Sequence, residues 1–221
     1  MSSDDRASRP GKIPAAPVLS DDEIARIEGR NGLRQFDRMV ELIDAAVAPA
    51  AARFRVRHST LMELNRIAVE GLMVAPGSYR LVAITITGTK HQPPPPEDVP
   101  KHVDDMCDYV ETHWNATPVH LAAYLQWRLN WIHPFRDGNG RTSRAIAYLV
   151  LCARLAMRLP GTKTIPERIA ANKKPYYAAL DRADAAWKEG RVDVGEMEKM
   201  LGDHLAAQLV EIHQAAIGVG W

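Results

Sequence analysis

The chain has 221 residues, of which 46% are hydrophobic and 25% charged, and 28 Lys and Arg against 27 Asp and Glu leave a net charge of +1. This composition is that of a soluble globular protein, and the balanced charge gives no support for binding to nucleic acid or to a membrane surface. No apolar run approaches the roughly 20 residues that span a bilayer. The two cysteines form no C-x-x-C pair, and the first residues do not resemble a secretory signal, so we expect a cytoplasmic protein.

The hydrophobic pattern divides the chain into four predicted segments, namely a disordered tail at 1–19, N-terminal helices at 20–58, a core domain at 59–190 and a C-terminal helix at 191–221 packed on the core. Ser20 and Glu23 form a capping box that opens the first helix. Gly29 and Gly32 predict a break in it. The helix that follows is expected to bury a stripe of apolar residues at helical spacing, Leu33, Phe36, Val40 and Ile43.

One stretch of the core predicts a β-strand, because apolar residues alternate from Tyr79 to Thr87. A turn at Gly88-Thr89-Lys90 and a proline-rich exit follow, so at most one β-hairpin is predicted. From Pro96 onward, apolar residues recur at three- and four-residue spacing, which indicates helices. The predicted fold class is therefore all-α with one hairpin.

The most informative stretch is residues 133–144, His-Pro-Phe-Arg-Asp-Gly-Asn-Gly-Arg-Thr-Ser-Arg, and an apolar run that predicts a buried helix follows it. Glycines ahead of a helix let the backbone approach a ligand, and a helix N-terminus favours an anion such as phosphate. Arg141 and Arg144 are three residues apart and can reach the same anion. Asp137 suits Mg²⁺ that bridges phosphates, and His133 is the natural general base. The residues therefore predict phosphoryl or nucleotidyl transfer.

The pattern His-Pro-Phe-x-Asp-Gly-Asn-Gly-Arg-x-x-Arg resembles the signature of the Fic family, with every defining position filled. The resemblance covers residues from about 60 to 190, and it implies a Fic-type helical bundle with one β-hairpin flap beside the active-site loop. The flap, here Leu81 to Pro94, would hold a segment of the target protein by strand addition. Family members typically transfer AMP from ATP to a Ser, Thr or Tyr hydroxyl of a target protein.

Carried over to this sequence, the resemblance makes His133 the base that deprotonates the target hydroxyl, and Asp137 the ligand that holds Mg²⁺ against the phosphates of ATP. It assigns the β-phosphate to Arg141 and the γ-phosphate to Arg144. The expected nucleotide-binding residues are Gly138, Asn139, Gly140, Arg141, Thr142 and Arg144 in the loop, Tyr176 and Tyr177 downstream, and His91 at the end of the flap. Related phosphotransferases carry Lys at the position of Gly140, so this glycine favours adenylyl transfer.

The resemblance also implies regulation, because many family members carry an inhibitory helix whose Glu pairs with the second signature arginine. Glu28-Gly29 matches half of the usual inhibitory pattern, although Ile24 stands where a Ser or Thr is expected. We therefore hypothesise that Glu28 pairs with Arg144.

Several alternatives stay open at the level of sequence. The same site is compatible with removal of AMP, with transfer from UTP or GTP, and with a non-catalytic nucleotide-binding interaction module. A pure binder does not need His133, which disfavours the last of these. A helix-turn-helix regulator is disfavoured by the near-zero net charge. The apolar stripe of the last helix fits either core packing or a homo-oligomer face.

Overall fold

A computed structural model describes residues 8–10, 19–161 and 163–216. In these ranges the chain forms eight α-helices: α1 Asp21–Val47, α2 His58–Val69, α3 Val99–Thr112, α4 Pro118–Ile132, α5 Asn139–Leu155, α6 Ile165–Ala171, α7 Lys174–Lys188 and α8 Gly195–Ala216. Two three-residue strands, β1 Ser8–Pro10 and β2 Ile84–Ile86, pair antiparallel, and a 3-10 turn at Pro96–Asp98 leads into α3. The predicted helical fold is confirmed.

The centre of the bundle is formed by α4 and α5, which pack along each other. Both helices are buried on nearly all sides, because neighbouring elements cover them. In α4, Leu121, Leu125, Leu129 and Ile132 are fully buried. Helices α1 and α2 pack on α5, whereas α8 packs on α4, α6 and α7. The segment between α4 and α5 is the signature loop, residues 133–138, so two buried helices hold the loop from both ends.

Helix α1 differs from the sequence prediction in two respects. It runs without a break through Gly29 and Gly32, because neither position needs a positive φ and the helix tolerates both glycines. Its buried face consists of Asn31, Gln35, Met39 and Ile43, so the predicted stripe is correct only at Ile43. Leu33 is 70% exposed and Phe36 lies at the surface.

The polar start of this face has a physical reason. The side-chain amide of Asn31 donates to the backbone oxygen of Glu70 at 2.8 Å, and that of Gln35 donates to Leu64 at 2.9 Å. Glu70 caps the C-terminal end of α2, where the helix leaves acceptors without partners of its own, whereas Leu64 lies inside the helix. Hydrophobic periodicity does not reveal such amides, which bond to the backbone of a neighbouring helix.

The flap contains one strand of the predicted hairpin. β2 lies within the predicted strand, but its partner is β1, with Ser8 opposite Ile86 and Pro10 opposite Ile84. The segment after Gly88 does not pair with β2, and its prolines at 93–96 cannot donate to a strand ladder. The predicted tail at 1–19 lies mostly outside the described residues, and its described part, Ser8–Pro10, is extended and paired.

Within the described ranges, no helix combines the length and the apolar character that crossing a bilayer requires.

Candidate active site

His133 lies at the C-terminal cap of α4 in the left-handed conformation, with φ 50° and ψ 58°. The side chain is almost fully buried, and its Nδ1 lies 3.1 Å from the carbonyl oxygen of Asn130. A carbonyl only accepts, so Nδ1 carries the hydrogen in the neutral ring and the basic lone pair belongs to Nε2. The orientation of the ring therefore suits a general base that acts through Nε2.

Asn139 holds the signature loop in shape. Its Oδ1 accepts from the backbone N–H of Phe135 at 2.9 Å, and its Nδ2 donates to the Phe135 carbonyl at 2.8 Å. The side chain is 2% exposed, so both polar atoms serve the loop. Asn139 was predicted to bind phosphate. The structure places its side chain on the loop backbone and leaves its N–H group at the start of α5.

Gly138 is the position of the loop where a side chain is excluded. Its φ is 76°, and an added Cβ would lie 2.7 Å from Cγ1 of Val69 and 2.9 Å from Nδ2 of Asn65. Both the backbone conformation and the close approach of α2 require glycine. Thr142 lies below this turn, where its hydroxyl donates to the Gly138 carbonyl at 2.8 Å. The structure does not bring the Thr142 side chain to the cavity, because it is fully buried.

The N-terminus of α5 lacks the groups that usually neutralise a helix start. Gly138 supplies no side-chain cap, and the first turn contains no acidic residue. Helix α1 is the opposite case, with a capping box at Ser20 and three acidic residues in its first turn. The first N–H groups of α5 and its dipole therefore favour an external anion, as the sequence predicts.

Arg141 is the signature arginine with the most partners. It donates from Nη1 to the carbonyl of Ala68 at 3.1 Å and from Nη2 to Oδ2 of Asp137 at 3.1 Å. Nη1 also lies 3.4 Å from Oε1 of Glu28, which comes from α1. The structure thus brings the predicted regulatory Glu28 to the site, but its partner there is Arg141. The predicted pair with Arg144 is replaced because Glu28 lies above the first turn of α5.

Arg144 lies one turn further along α5 and lines two cavities. One of them is beside His133 and Gly140, where a nucleotide is expected. The other, of about 580 Å³, lies between α1, α5 and α6, with Phe36, Met39 and Ala145 in its walls. Arg144 is therefore shared by the expected phosphate site and a mostly apolar space under α1, which Glu28 and Arg141 also line.

The cavity beside His133 brings together most of the residues that the sequence assigned to the nucleotide. Its lining includes His91, Gly140, Tyr176 and Tyr177, together with Asp184 from α7. The space among these side chains is only about 30 Å³, so in this conformation they lie close together around His133.

His91 closes this cavity on the flap side. Its Nε2 donates to the Trp131 carbonyl at 2.7 Å, and its Nδ1 lies 3.6 Å from Oδ2 of Asp184. Asp184 in turn accepts from the indole N–H of Trp127 at 2.8 Å. These contacts connect the end of the flap to α4 and α7. His91 thus lies at the edge of the cavity, where its contact with the nucleotide is predicted.

Next to His91, the wall of the cavity is stabilised by a buried cation. The guanidinium of Arg128 lies 4.2 Å and 4.4 Å from the ring centroids of Trp131 and Trp187. Burial lowers the pKa of Arg128, which is consistent with weak hydration of the sandwiched charge. This packing stabilises the C-terminal part of α4, and His133 directly follows that helix.

Tyr176 and Tyr177 occupy different depths. Tyr177 is half-buried at the cavity wall, whereas Tyr176 is 1% exposed and its hydroxyl accepts from Nδ2 of Asn130 at 2.7 Å. The same Nδ2 lies 2.8 Å from the hydroxyl of Ser143 on α5. This polar group joins α4, α5 and α7 directly beneath His133. It makes Tyr176 a support of the site.

Two residues of the site were missed by the sequence analysis, Arg80 and Asn65. The guanidinium of Arg80 is 1% exposed and donates to backbone carbonyls of the flap and of the α4–loop junction, with Nε 2.8 Å from the oxygen of His133. Asn65 of α2 donates to the Asp137 carbonyl at 2.8 Å and accepts from the N–H of Gly77 at 3.2 Å. Both satisfy irregular backbone. The only signal in the sequence is a polar residue inside an apolar pattern.

Asp137 is the one predicted metal ligand. Its Oδ1 accepts from the N–H of Gly138 at 2.6 Å, and its carboxylate is partly exposed beside Arg141. No cluster of three or more His, Cys, Asp or Glu side chains able to hold a metal occurs in the described ranges. A single carboxylate nevertheless fits Mg²⁺, which is commonly held by one or two carboxylates together with substrate phosphates.

Comparison with solved structures identifies the fold. A Fic-domain signalling protein of Bacteroides thetaiotaomicron superposes with a TM-score of 0.68 at 24% identity, covering 87% of this chain and 74% of that one. Fic-1 of Caenorhabditis elegans superposes with a TM-score of 0.69 at 20% identity, covering 94% of this chain and 56% of that one. The bundle thus has the fold of these Fic domains.

Sequence comparison shows the same similarity. The model described as Fic/DOC family matches residues 55–151, which include the signature loop. Over this segment the chain is similar to the Fic/DOC family.

Two curated relatives illustrate the similarity. A protein adenylyltransferase Fic of Nematostella vectensis is 35% identical over 77 residues, which are 34% of this chain and 18% of the relative. A probable protein adenylyltransferase of Aquifex aeolicus is 29% identical over 121 residues, which are 55% of this chain and 34% of the relative. The matched region therefore spans about a fifth to a third of these relatives.

Proposed function

We propose that this protein is a protein adenylyltransferase that transfers AMP from ATP to a Ser, Thr or Tyr hydroxyl of a target protein. The observation that carries the proposal is the arrangement around the start of α5. A buried histidine with Nε2 as its basic atom stands beside an uncapped helix N-terminus with two arginines on its first turns. The names of the curated relatives support the same reaction class.

In the proposed reaction, Nε2 of His133 takes the proton of the target hydroxyl as the oxygen attacks the α-phosphorus of ATP. The first N–H groups of α5 stabilise the charge that grows on the α-phosphate. Arg141 and Arg144 neutralise the leaving pyrophosphate. Catalysis then depends mainly on positioning and on preorganised charge.

Mg²⁺ has a place in this scheme. Asp137 would hold it against the phosphates, where it supplies charge neutralisation. The side-chain contact of Asp137 with Arg141 keeps its carboxylate at the mouth of the phosphate site. The residues present therefore fit the metal.

We place target docking on the flap. Leu81, at its start, is 88% exposed and is therefore accessible to a partner. Strand addition to β2, in the place that β1 occupies in this structure, would satisfy main-chain donors and acceptors of the flap and leave sequence selection to such side chains.

Glu28 acts as a brake in this proposal. Its carboxylate lies within 3.4 Å of Arg141 and so competes with the phosphate that Arg141 would bind. The pair is partly exposed, which limits its value to about 1 kcal/mol or less, equivalent to roughly fivefold in rate. The brake is therefore weak, and the charge of ATP opposes it directly.

The test uses ATP labelled at either the α- or the γ-phosphate, with Mg²⁺ and a host lysate. Wild type runs beside His133→Ala, Glu28→Gly and the control Glu41→Gly, since Glu41 lies on the same helix and contacts Arg38 instead of the site. Both Glu→Gly changes weaken the helix by about 1 kcal/mol, so their difference isolates the carboxylate at Arg141. We expect label from the α-position only, abolished in His133→Ala and raised up to about fivefold in Glu28→Gly.

Other results have distinct meanings. Label from the γ-position only would show the opposite nucleotide orientation and contradict adenylyl transfer. Equal rates for Glu28→Gly and Glu41→Gly would show that Glu28 is not inhibitory and would not affect the proposed transfer reaction. Absence of label from both positions would favour another nucleotide or the non-catalytic interaction module.

A further inference from the structure

The larger cavity that Arg144 lines, between α1, α5 and α6, has the size of a ligand pocket. Its volume of about 580 Å³ lies within the roughly 300–1,000 Å³ that small-molecule pockets occupy. We call it the α1 cavity. Besides three glycines, its walls include Leu33, Phe36, Met39, Ala145, Pro166 and Ala170. Walls of this kind favour a hydrocarbon chain, because its contact with them removes apolar surface from water.

The wall that α1 contributes has room for such a chain. Gly29 and Gly32 line the α1 cavity, and a Cβ added at either position would meet no atom within 4 Å. Next to them, Leu33 is 70% exposed and Phe36 is 36% exposed. Helix α1 therefore leaves apolar surface uncovered beside this open space, and a hydrocarbon chain bound there would cover part of it.

The charges around the α1 cavity indicate the head group. Glu28 and Arg141 lie 3.4 Å apart, and Glu167 accepts from the N–H of Thr164 at 2.7 Å in the capping box of α6. Arg144 differs from these three charged residues. It is 8% exposed, and it forms no hydrogen bond or ion pair with any residue in the described part of the chain. A buried charge without a partner is costly, so this guanidinium favours a ligand with one negative charge.

A carboxylate fits this requirement better than a phosphate does. The planar guanidinium of an arginine matches the two oxygens of a carboxylate in a bidentate pair. A phosphate monoester would bring a charge of about −1.5 to −2 at neutral pH. The carboxylates of Glu28 and Glu167 line the same cavity and would repel the additional charge. A single carboxylate on an apolar chain therefore matches both the charges and the walls.

We propose that the α1 cavity binds a medium-chain fatty acid, with its carboxylate on Arg144 and its hydrocarbon chain among Phe36, Met39 and Ala145. Arg144 also lines the cavity beside His133, where the nucleotide is expected. In the proposed adenylyl transfer, on which this second part rests, a guanidinium that holds the carboxylate is withdrawn from the γ-phosphate of ATP. The fatty acid and ATP therefore weaken each other's binding, and by the same factor.

The experiment titrates the purified full chain with decanoate by isothermal titration calorimetry, without nucleotide and below the concentration at which decanoate forms micelles. Hexanoate shortens the hydrocarbon chain, and decanol removes the charge. Gly32→Phe fills the α1 cavity from a position with room for a side chain. Its matched control is Gly202→Phe, because Gly202 lies in α8 with equally open surroundings and does not line the cavity. Arg144→Gln removes the positive charge. Each variant is also assayed for α-label transfer with and without decanoate.

We expect wild type to bind decanoate at least about tenfold more tightly than hexanoate or decanol. Each buried methylene contributes about fourfold to affinity, and a hydrogen bond to a charged group about tenfold or more. Gly32→Phe should abolish binding, and Gly202→Phe should bind decanoate as wild type does. Arg144→Gln should bind decanoate and decanol with equal affinity. In the transfer assay, decanoate should raise KM for ATP in wild type and leave it unchanged in Gly32→Phe.

Three calorimetric results would overturn the inference: no binding of decanoate to wild type, equal affinity of wild type and Gly32→Phe for decanoate, or equal affinity of wild type for decanoate and decanol. Binding of decanoate with an unchanged KM for ATP would overturn the coupling through Arg144. Absence of label transfer from every variant would contradict the proposed function, whereas calorimetry would still decide whether the α1 cavity binds the fatty acid.

Discussion

Replacement of Arg80 tests how the flap and the catalytic loop are coupled. Besides His133, its guanidinium donates to the backbone oxygens of Pro94, of Val82 at 3.2 Å and of Ile132 at 3.4 Å. Burial lowers the pKa of this guanidinium, and the nearby Glu97 acts in the opposite direction. One side chain thus connects both ends of the flap with the last residues of α4.

The loss of folding stability expected on replacing Arg80 follows from these contacts. A hydrogen bond to a charged group contributes about 1.5–3 kcal/mol, and removal of Arg80 would leave at least two buried carbonyls without a donor. Arg80→Ala should therefore cost about 3–5 kcal/mol, a large part of the stability of a typical domain. Arg80→Lys keeps the charge but loses the planar fork, so we expect it to cost about 2 kcal/mol and to fold.

The assay combines urea denaturation with the initial rate of adenylyl transfer. The control is Arg158→Lys, because Arg158 forms an exposed ion pair with Asp44 at 3.0 Å and its replacement should change stability by about 0.5 kcal/mol or less. We expect Arg80→Lys to lower kcat more than it raises KM for ATP, since it loosens the backbone of His133. Equal unfolding midpoints and equal kcat for the two Arg→Lys variants would refute the coupling.

Three further predictions concern the backbone, acid and thiols. Gly138→Ala should destabilise the fold by about 2 kcal/mol or more, whereas Gly32→Ala should stabilise it by about 1 kcal/mol in urea denaturation; shifts of the same sign would contradict this. Burial lowers the pKa of His102 from 6.5, so the unfolded chain binds more protons below that pH and stability falls on acidification. Thermal unfolding of His102→Gln should depend less on pH, and an unchanged slope would contradict this. Burial raises the thiol pKa of Cys107 to about 12 and of Cys152 to about 11, so both should resist iodoacetamide at neutral pH until urea unfolds the chain.

The helical fold and the signature loop are readable from sequence because their signals are local. The apolar run after Arg144 can only be a central helix, and Gly138 is specified by a backbone conformation that few other residues adopt. The burial of the leucines of α4 follows equally from the 3.6-residue period.

The remaining features depend on contacts between distant segments. Arg80 and Asn65 serve backbone groups that become buried only when the flap, α2 and the loop meet. The partner of β2 lies more than seventy residues upstream, and no periodicity encodes such a pairing. Glu28 was placed at the site by its motif, yet the arginine it contacts depends on how α1 lies across α5.

The position of Glu28 along α1 has a consequence for local unfolding. The first ten residues of α1, from Asp21 to Arg30, include no buried side chain, and the first anchored residue is Asn31. This end can fray one residue at a time while the rest of the helix stays packed, because fraying breaks few buried contacts. Glu28 would then leave Arg141 by fraying, without any movement of a domain. Amide hydrogen exchange should accordingly be fast up to Arg30 and slow from Gln35 onward.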